Sequence, residues 1–164
     1  MTLNLQTTPV NLPHGIGQTM FERLSGRWRQ SRTIVPGGQY MGVAHFVPAE
    51  NGCLRYTEEG VLTPDGVGPV QSRRTYLYKI DDGRIDVLFD ESPPRLFHSI
   101  EDFQDSGSDV VSHESMHVCG QDTYRSTYEF RSDKSFVIRH RVTGPRKNYV
   151  MTTVYTRWAD AEAG

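Results

Sequence analysis

At 164 residues the chain is long enough to bury a core without disulfides or metals, and one domain is its most economical organisation. A formal net charge of -2 and a pI near 6.3 argue against the basic footprint of a nucleic-acid binder. Cys53 and Cys119 form neither a CxxC pair nor a metal-binding spacing, so two reduced thiols are expected. No stretch approaches the roughly 20 apolar residues of a membrane helix.

The start, Met1-Thr2-Leu3-Asn4-Leu5, has no basic n-region and no apolar h-region, so no signal peptide and a cytoplasmic location are expected. Residues 1–15 read as an extended arm, and a single domain is expected over 16–160. Met20, Phe21 and Leu24 recur at helical spacing, which predicts a short helix over Ile16–Leu24 ended by Ser25-Gly26.

After Gly26 the apolar period becomes two. Turn signals then punctuate the chain: Pro36-Gly37-Gly38, Glu50-Asn51-Gly52, Pro64-Asp65-Gly66, Asp81-Asp82-Gly83, Ser92-Pro93-Pro94, Asp105-Ser106-Gly107, Gly120-Gln121, Ser132-Asp133-Lys134 and Gly144-Pro145. Between them lie runs rich in β-branched and aromatic residues, so about ten hairpin-joined strands are predicted. The fold class is all-β: an antiparallel up-and-down meander whose closure into a barrel removes its edges.

Residues two apart share a strand face. One inward face carries Leu54, Tyr56, Glu58, Gly60 and Leu62, and the next Arg74, Tyr76 and Tyr78. Later runs place Ile85, Val87 and Phe89 inside, then Phe136, Ile138, His140 and Val142, then Tyr149, Met151, Thr153, Tyr155 and Arg157. Arg27, Arg29 and Arg32, like Arg73 and Arg74, neighbour polar and apolar residues in strand-like runs and read as solvated faces. Across the Gly120-Gln121 corner, His117 and Cys119 share one face, and Asp122, Tyr124, Ser126 and Tyr128 share another. If the two faces coincide in a hairpin, hydrogen-bonding groups converge inside. Buried polar groups need partners, so this interior is either a closed network, with Glu58–Arg74 or Asp122 with a His or Tyr satisfying one another, or a ligand site. A barrel of eight or more strands has room for one small ligand, and tyrosine supplies an apolar body with a hydroxyl handle.

Gly26-Arg27-Trp28 after a short helix, with Arg157 near the end of the last strand, resembles the calycin signature. That resemblance makes Gly26, Trp28 and Arg157 structural, with the indole plugging the closed end beneath the guanidinium. Tyr56-x-Glu58-x-Gly60, His117-x-Cys119-x-x-Asp122-x-Tyr124 and Gly144-Pro145-Arg146-Lys147 together resemble an uncharacterised family of small calycin-like (lipocalin- and nitrobindin-like) domains. The likeness spans about Leu24 to Arg157 and implies a fold but no activity. His140 stands where the resemblance leads one to expect an aromatic residue such as Trp.

The expected function is binding of a small amphipathic or aromatic molecule in a polar, Tyr-lined cavity. Its candidate ligand-binding residues are Tyr56, Glu58, Arg74, Tyr76, His117, Cys119, Asp122, Tyr124, His140 and Tyr155. One alternative is an enzyme using a His117/Asp122 acid–base pair, with Cys119 as a nucleophile, although no elbow motif supports it. A second is haem binding, since nitrobindin-like barrels hold haem through one histidine; His98, His117 and His140 are the candidates. A third is a structural module serving assembly, and a homodimer is left open. His113, His117, Cys119, Asp122 and His140 offer metal-ligand types without the spacing of common zinc sites, so no metal is expected. Gly144-Pro145-Arg146-Lys147 reads either as a tight turn or as a grip on an anionic group at the barrel rim.

Overall fold

The period-two pattern after Gly26 is realised as strands throughout. The computed structural model describes residues 13–158. One helix, α1 (Pro13–Leu24), precedes β1 (Gly26–Val35), β2 (Gly38–Pro48), β3 (Leu54–Pro64), β4 (Val70–Asp81), β5 (Arg84–Phe89) and β6 (Arg95–Ile100). Then follow β7 (Gln104–Asp105), β8 (Val110–Val111), β9 (Ser115–Cys119), β10 (Asp122–Ser132), β11 (Ser135–Thr143) and β12 (Asn148–Arg157). A short 3-10 turn at Glu50–Gly52 links β2 to β3. Every turn signal of the sequence falls at a junction between these strands. The helix begins three residues ahead of its expected start, because a proline is tolerated in a first helical turn. Of the expected extended arm, residues 1–12 lie outside the described residues.

The strands form a 12-stranded antiparallel sheet in the order β6-β5-β4-β3-β2-β1-β12-β11-β10-β8-β7, with β9 also paired to β10. The first and last long strands are neighbours, Trp28 facing Arg157 in register, so the meander curls round. Between β6 and β9–β10 no ladder forms; side chains close the seam. Phe97 packs on His117 and Tyr124 at ring-centroid distances of 5.4 and 5.7 Å, and His98 Nε2 lies 2.9 Å from the Tyr128 hydroxyl.

α1 presents Met20, Phe21 and Leu24, all buried, to one end of the barrel. It approaches the β4–β5 turn so closely that a Cβ at Gly17 would collide with the Gly83 carbonyl. The apolar core lies beneath the helix and holds Trp28, Phe46, Leu54, Tyr78, Ile85 and Phe136 among others. Among the described residues no helix is long and apolar enough to cross a membrane.

Candidate functional site

The closed end is anchored by Trp28. Its ring is fully buried, its Nε1–H donates to the Leu24 carbonyl at 2.8 Å, and the Arg157 guanidinium stacks 4.1 Å from its centroid. Arg157 also donates to the Arg23 carbonyl and, at 2.9 Å, to that of Ser25, capping backbone that the helix end leaves open, and to the Asp133 carbonyl of the β10–β11 turn at 2.8 Å. Gly26, at φ +115, has the left-handed conformation glycine adopts freely, and a side chain there would press on the same guanidinium.

Period two from Trp28 brings Gln30 and Arg32 inward, and both meet the face of β3. Arg32 is 8 % exposed and Glu58 2 %. The guanidinium grips Glu58 in bidentate fashion, Nη1 to Oε1 at 3.1 Å and Nη2 to Oε2 at 2.9 Å, while its Nε–H donates to Thr153 Oγ1 at 2.7 Å. Glu58 Oε2 also accepts from Gln30 Nε2 at 2.8 Å and from the Tyr56 hydroxyl. The Tyr56 oxygen in turn accepts from Gln30 at 2.9 Å and stands 2.9 Å from the Tyr155 hydroxyl. With the Tyr56 proton directed at Glu58, Tyr155 must be that bond's donor. Burial would raise the Glu58 carboxyl, but the bonds and charge of Arg32, then Tyr56 and Gln30, hold it below the ordinary carboxylate range. Burial opposes the Arg32 charge too, and Glu58 outweighs it, leaving the guanidinium above its usual value. The Tyr155 hydroxyl is pushed up to about 12, by burial and then by the Glu58 charge. A charge pair with its partners in place thus forms a polar floor.

Tyr40 completes the floor. Its ring lies under the Arg32 guanidinium at 4.7 Å and its hydroxyl donates to Gln30 Oε1 at 3.3 Å. The cross-strand pair Gly42 and Gly60 lets that ring lie flat on the wall, since a Cβ on either would collide with it.

Above the floor the barrel is open, with a cavity of about 340 Å³. Its walls are aromatic. Tyr76, Phe89 and Phe97 pack together at centroid distances of 4.9 to 6.0 Å, and Tyr124, Tyr149 and Met151 continue the lining. His98 and His140 also reach the lining. His140 Nδ1 lies 2.6 Å from the Ser126 hydroxyl. Burial, then the charges of Arg32 and Arg74, lower the His140 ring to about 4. His98 is held well below its ordinary value by burial and then by the two neighbouring histidines, His140 and His117. His98 Nδ1 and His117 Nε2 are buried without a hydrogen-bond partner among the described residues. Arg74 and Lys147 stand at the mouth; Lys147 Nζ contacts Asp122 Oδ2 at 2.9 Å and donates to the Tyr124 hydroxyl at 3.2 Å. Those two bonds, Asp122 first, raise the ammonium above its ordinary value.

Of the ten residues expected to bind ligand, Tyr56, Glu58, Arg74, Tyr76, Cys119, Tyr124, His140 and Tyr155 line the cavity. The β9–β10 hairpin has the anticipated register, Cys119 opposite Asp122 and His117 opposite Tyr124, so their faces coincide. Yet His117 and Asp122 fall outside the lining. His117 packs on the far side of the seam against Phe97, and Asp122 is taken by Lys147. Among the described residues no hydrogen bond joins His117 to Asp122, the pair that the enzymatic alternative invoked. The expected Glu58–Arg74 pair is also corrected: the two are register partners, but the carboxylate belongs to Arg32. Arg32 itself, read as a solvated residue, is buried. The Gly144–Lys147 segment is a tight turn, closed by Gly144 N–H to the Lys147 carbonyl at 2.7 Å, and it also sends Lys147 into the mouth. Phe97, Tyr128 and Tyr149 were missed as site residues and His98 was named only as a haem candidate, although Tyr128 and Tyr149 lie on the inward faces that the period-two pattern assigns.

The chain belongs to the family of unknown function DUF6314, whose model matches residues 24–157. No curated protein matches it in sequence. Among solved structures it is similar to the S-type phycobiliprotein lyase CPES from Guillardia theta, at 12 % identity and a TM-score of 0.59 over 87 % of this chain and 93 % of the lyase. It is also similar to the barrel EF1p2_mFAP2b bound to DFHBI, at 14 % identity and a TM-score of 0.47 over 84 % of this chain and 95 % of that one. The likeness to the lyase is one of fold alone.

Proposed function

We propose that this member of the DUF6314 family binds a small aromatic or amphipathic molecule in the upper half of its barrel. The observation that carries the reading is the open cavity above a saturated floor. Arg32, Glu58, Gln30, Tyr56 and Tyr155 satisfy one another, so the floor needs no ligand to complete it. The space above is left unfilled, at about 340 Å³, within the range of small-molecule pockets. Its walls of Tyr76, Phe89, Phe97, Tyr124 and Tyr149 suit a planar body with a few polar atoms, because aromatic faces stack on such a body while their hydroxyls orient it.

The test is titration of the full chain with the neutral fluorophore N-phenyl-1-naphthylamine. Saturable 1:1 binding is expected. Met151→Trp, which projects an indole from β12 into the cavity, should abolish it while leaving the circular dichroism unchanged. Absence of binding to the wild type, or binding indifferent to Met151→Trp, would overturn the reading.

A further inference from the structure

We infer that the barrel mouth selects a monoanion: the ligand carries one carboxylate or sulfonate, held beside Arg74 and Lys147 while its planar body enters the cavity. This rests on the binding function proposed above and adds the ligand's charge and orientation.

The charges of the lining carry the inference. In the floor, Arg32 and Glu58 cancel. At the mouth, Lys147 is balanced by Asp122 at 2.9 Å. Arg74 has no carboxylate partner among the described residues, because Glu58, the acid opposite it in the β3–β4 register, is engaged by Arg32. The cavity and its rim therefore hold one uncompensated positive charge. It is placed for use: Arg74 and Lys147 both line the cavity, and the Tyr149 hydroxyl beside them, raised by burial and then by Tyr124, feels both cations in the opposite sense. Two cations of different elements, β4 and the β11–β12 turn, thus border the same cavity, where Tyr124 and Tyr149 supply hydroxyls. A guanidinium carries five N–H donors, so the bond of Arg74 to the Tyr76 hydroxyl leaves others that recognise an oxyanion directionally. The opposite orientation is disfavoured, since an anion at the floor would meet the Glu58 carboxylate beside Arg32.

A matched pair of probes tests this on the full chain. 1-Anilinonaphthalene-8-sulfonate and N-phenyl-1-naphthylamine share one ring system and differ by the sulfonate. At low salt the wild type should bind the sulfonate about five- to tenfold more tightly, and added salt should erode that advantage. Arg74→Gln should weaken the sulfonate's binding about five- to tenfold more than the neutral probe's, and Arg74→Lys should restore part of that difference. Arg74 is exposed, so these variants should keep the fold, checked by circular dichroism. Equal wild-type affinity for both probes, or an Arg74→Gln effect equal on both, would overturn the anion selection and leave the cavity-binding function standing. Failure of both probes to bind the wild type would instead overturn the binding function and this inference with it.

Discussion

Replacing Glu58 by Gln keeps the shape of the floor and removes its negative charge. Glu58 Oε1 accepts from Arg32 Nη1, and Oε2 accepts from Arg32 Nη2, Gln30 and Tyr56. Every neighbour is a donor. In its better orientation a glutamine oxygen keeps the Oε2 bonds, but its amide nitrogen then points N–H groups at Arg32 Nη1. The guanidinium, 8 % exposed, is left with a neutral partner and one opposed donor. Breaking a buried ion pair from one side typically costs about 3–5 kcal/mol, and that loss is expected in urea unfolding with an unchanged m-value. In an Arg32→Met/Glu58→Gln double variant the stranded charge is gone, so at least half of the loss should be recovered. N-Phenyl-1-naphthylamine binding should survive, because the floor is scaffold. A loss below about 1 kcal/mol for Glu58→Gln, or simple additivity in the double variant, would refute the reasoning.

Two further outcomes follow from burial. Trp28→Ala removes a ring packed between Arg157 and Phe136, 4.1 and 4.7 Å away, and should cost about 3–5 kcal/mol in denaturant unfolding; a loss below about 1 kcal/mol would show that Trp28 is not the plug. The cavity histidines should make the fold acid-sensitive. His140, lowered from 6.5 to about 4, binds its proton in the unfolded chain before it does so in the native one, so stability is full above about pH 6.5 and falls as pH drops toward 4. Between pH 7 and 5 the window from 6.5 to 5 sets a loss of at most about 2 kcal/mol for His140. Thermal unfolding of His140→Phe should show a correspondingly shallower pH slope, and an unchanged slope would rule His140 out as its source.

Much of the fold was legible because turn chemistry and period two are local. Glu58, Tyr56 and Tyr155 were placed inward correctly, since each sits in a strand whose alternation is unbroken. The partner of Glu58 was not legible from β3 and β4 alone. Arg74 is its register neighbour, but Arg32 comes from β1, with β2 lying between. The signal for Arg32 was nonetheless present: once Gly-x-Trp fixes Trp28 inside, alternation carries Gln30 and Arg32 inside too, and the run of arginines at 27, 29 and 32 obscured it. Phe97 and His98 had no such signal. The β5–β6 ladder shifts register between Val87 and Leu88, and these adjacent residues both reach the cavity, which strict alternation forbids. Asp122 and His117 show a third limit. Their face was right, but alternation gives a side chain's direction and not its depth, and both stand at the margin of the barrel.

The division into a filled lower half and an open upper half has a local cause. Tyr40 is one of the largest fully buried side chains. Gly42 and Gly60, paired across β2 and β3, leave a flat recess that accepts the ring against the wall, where it supports Arg32 from below. The guanidinium is thereby fixed toward Glu58, and the charge pair ends the core at that level. Above it, the inward residues are aromatic rings along the walls and long cations at the rim, which border the space without closing it. The glycine pair thus shapes the floor on which the cavity stands.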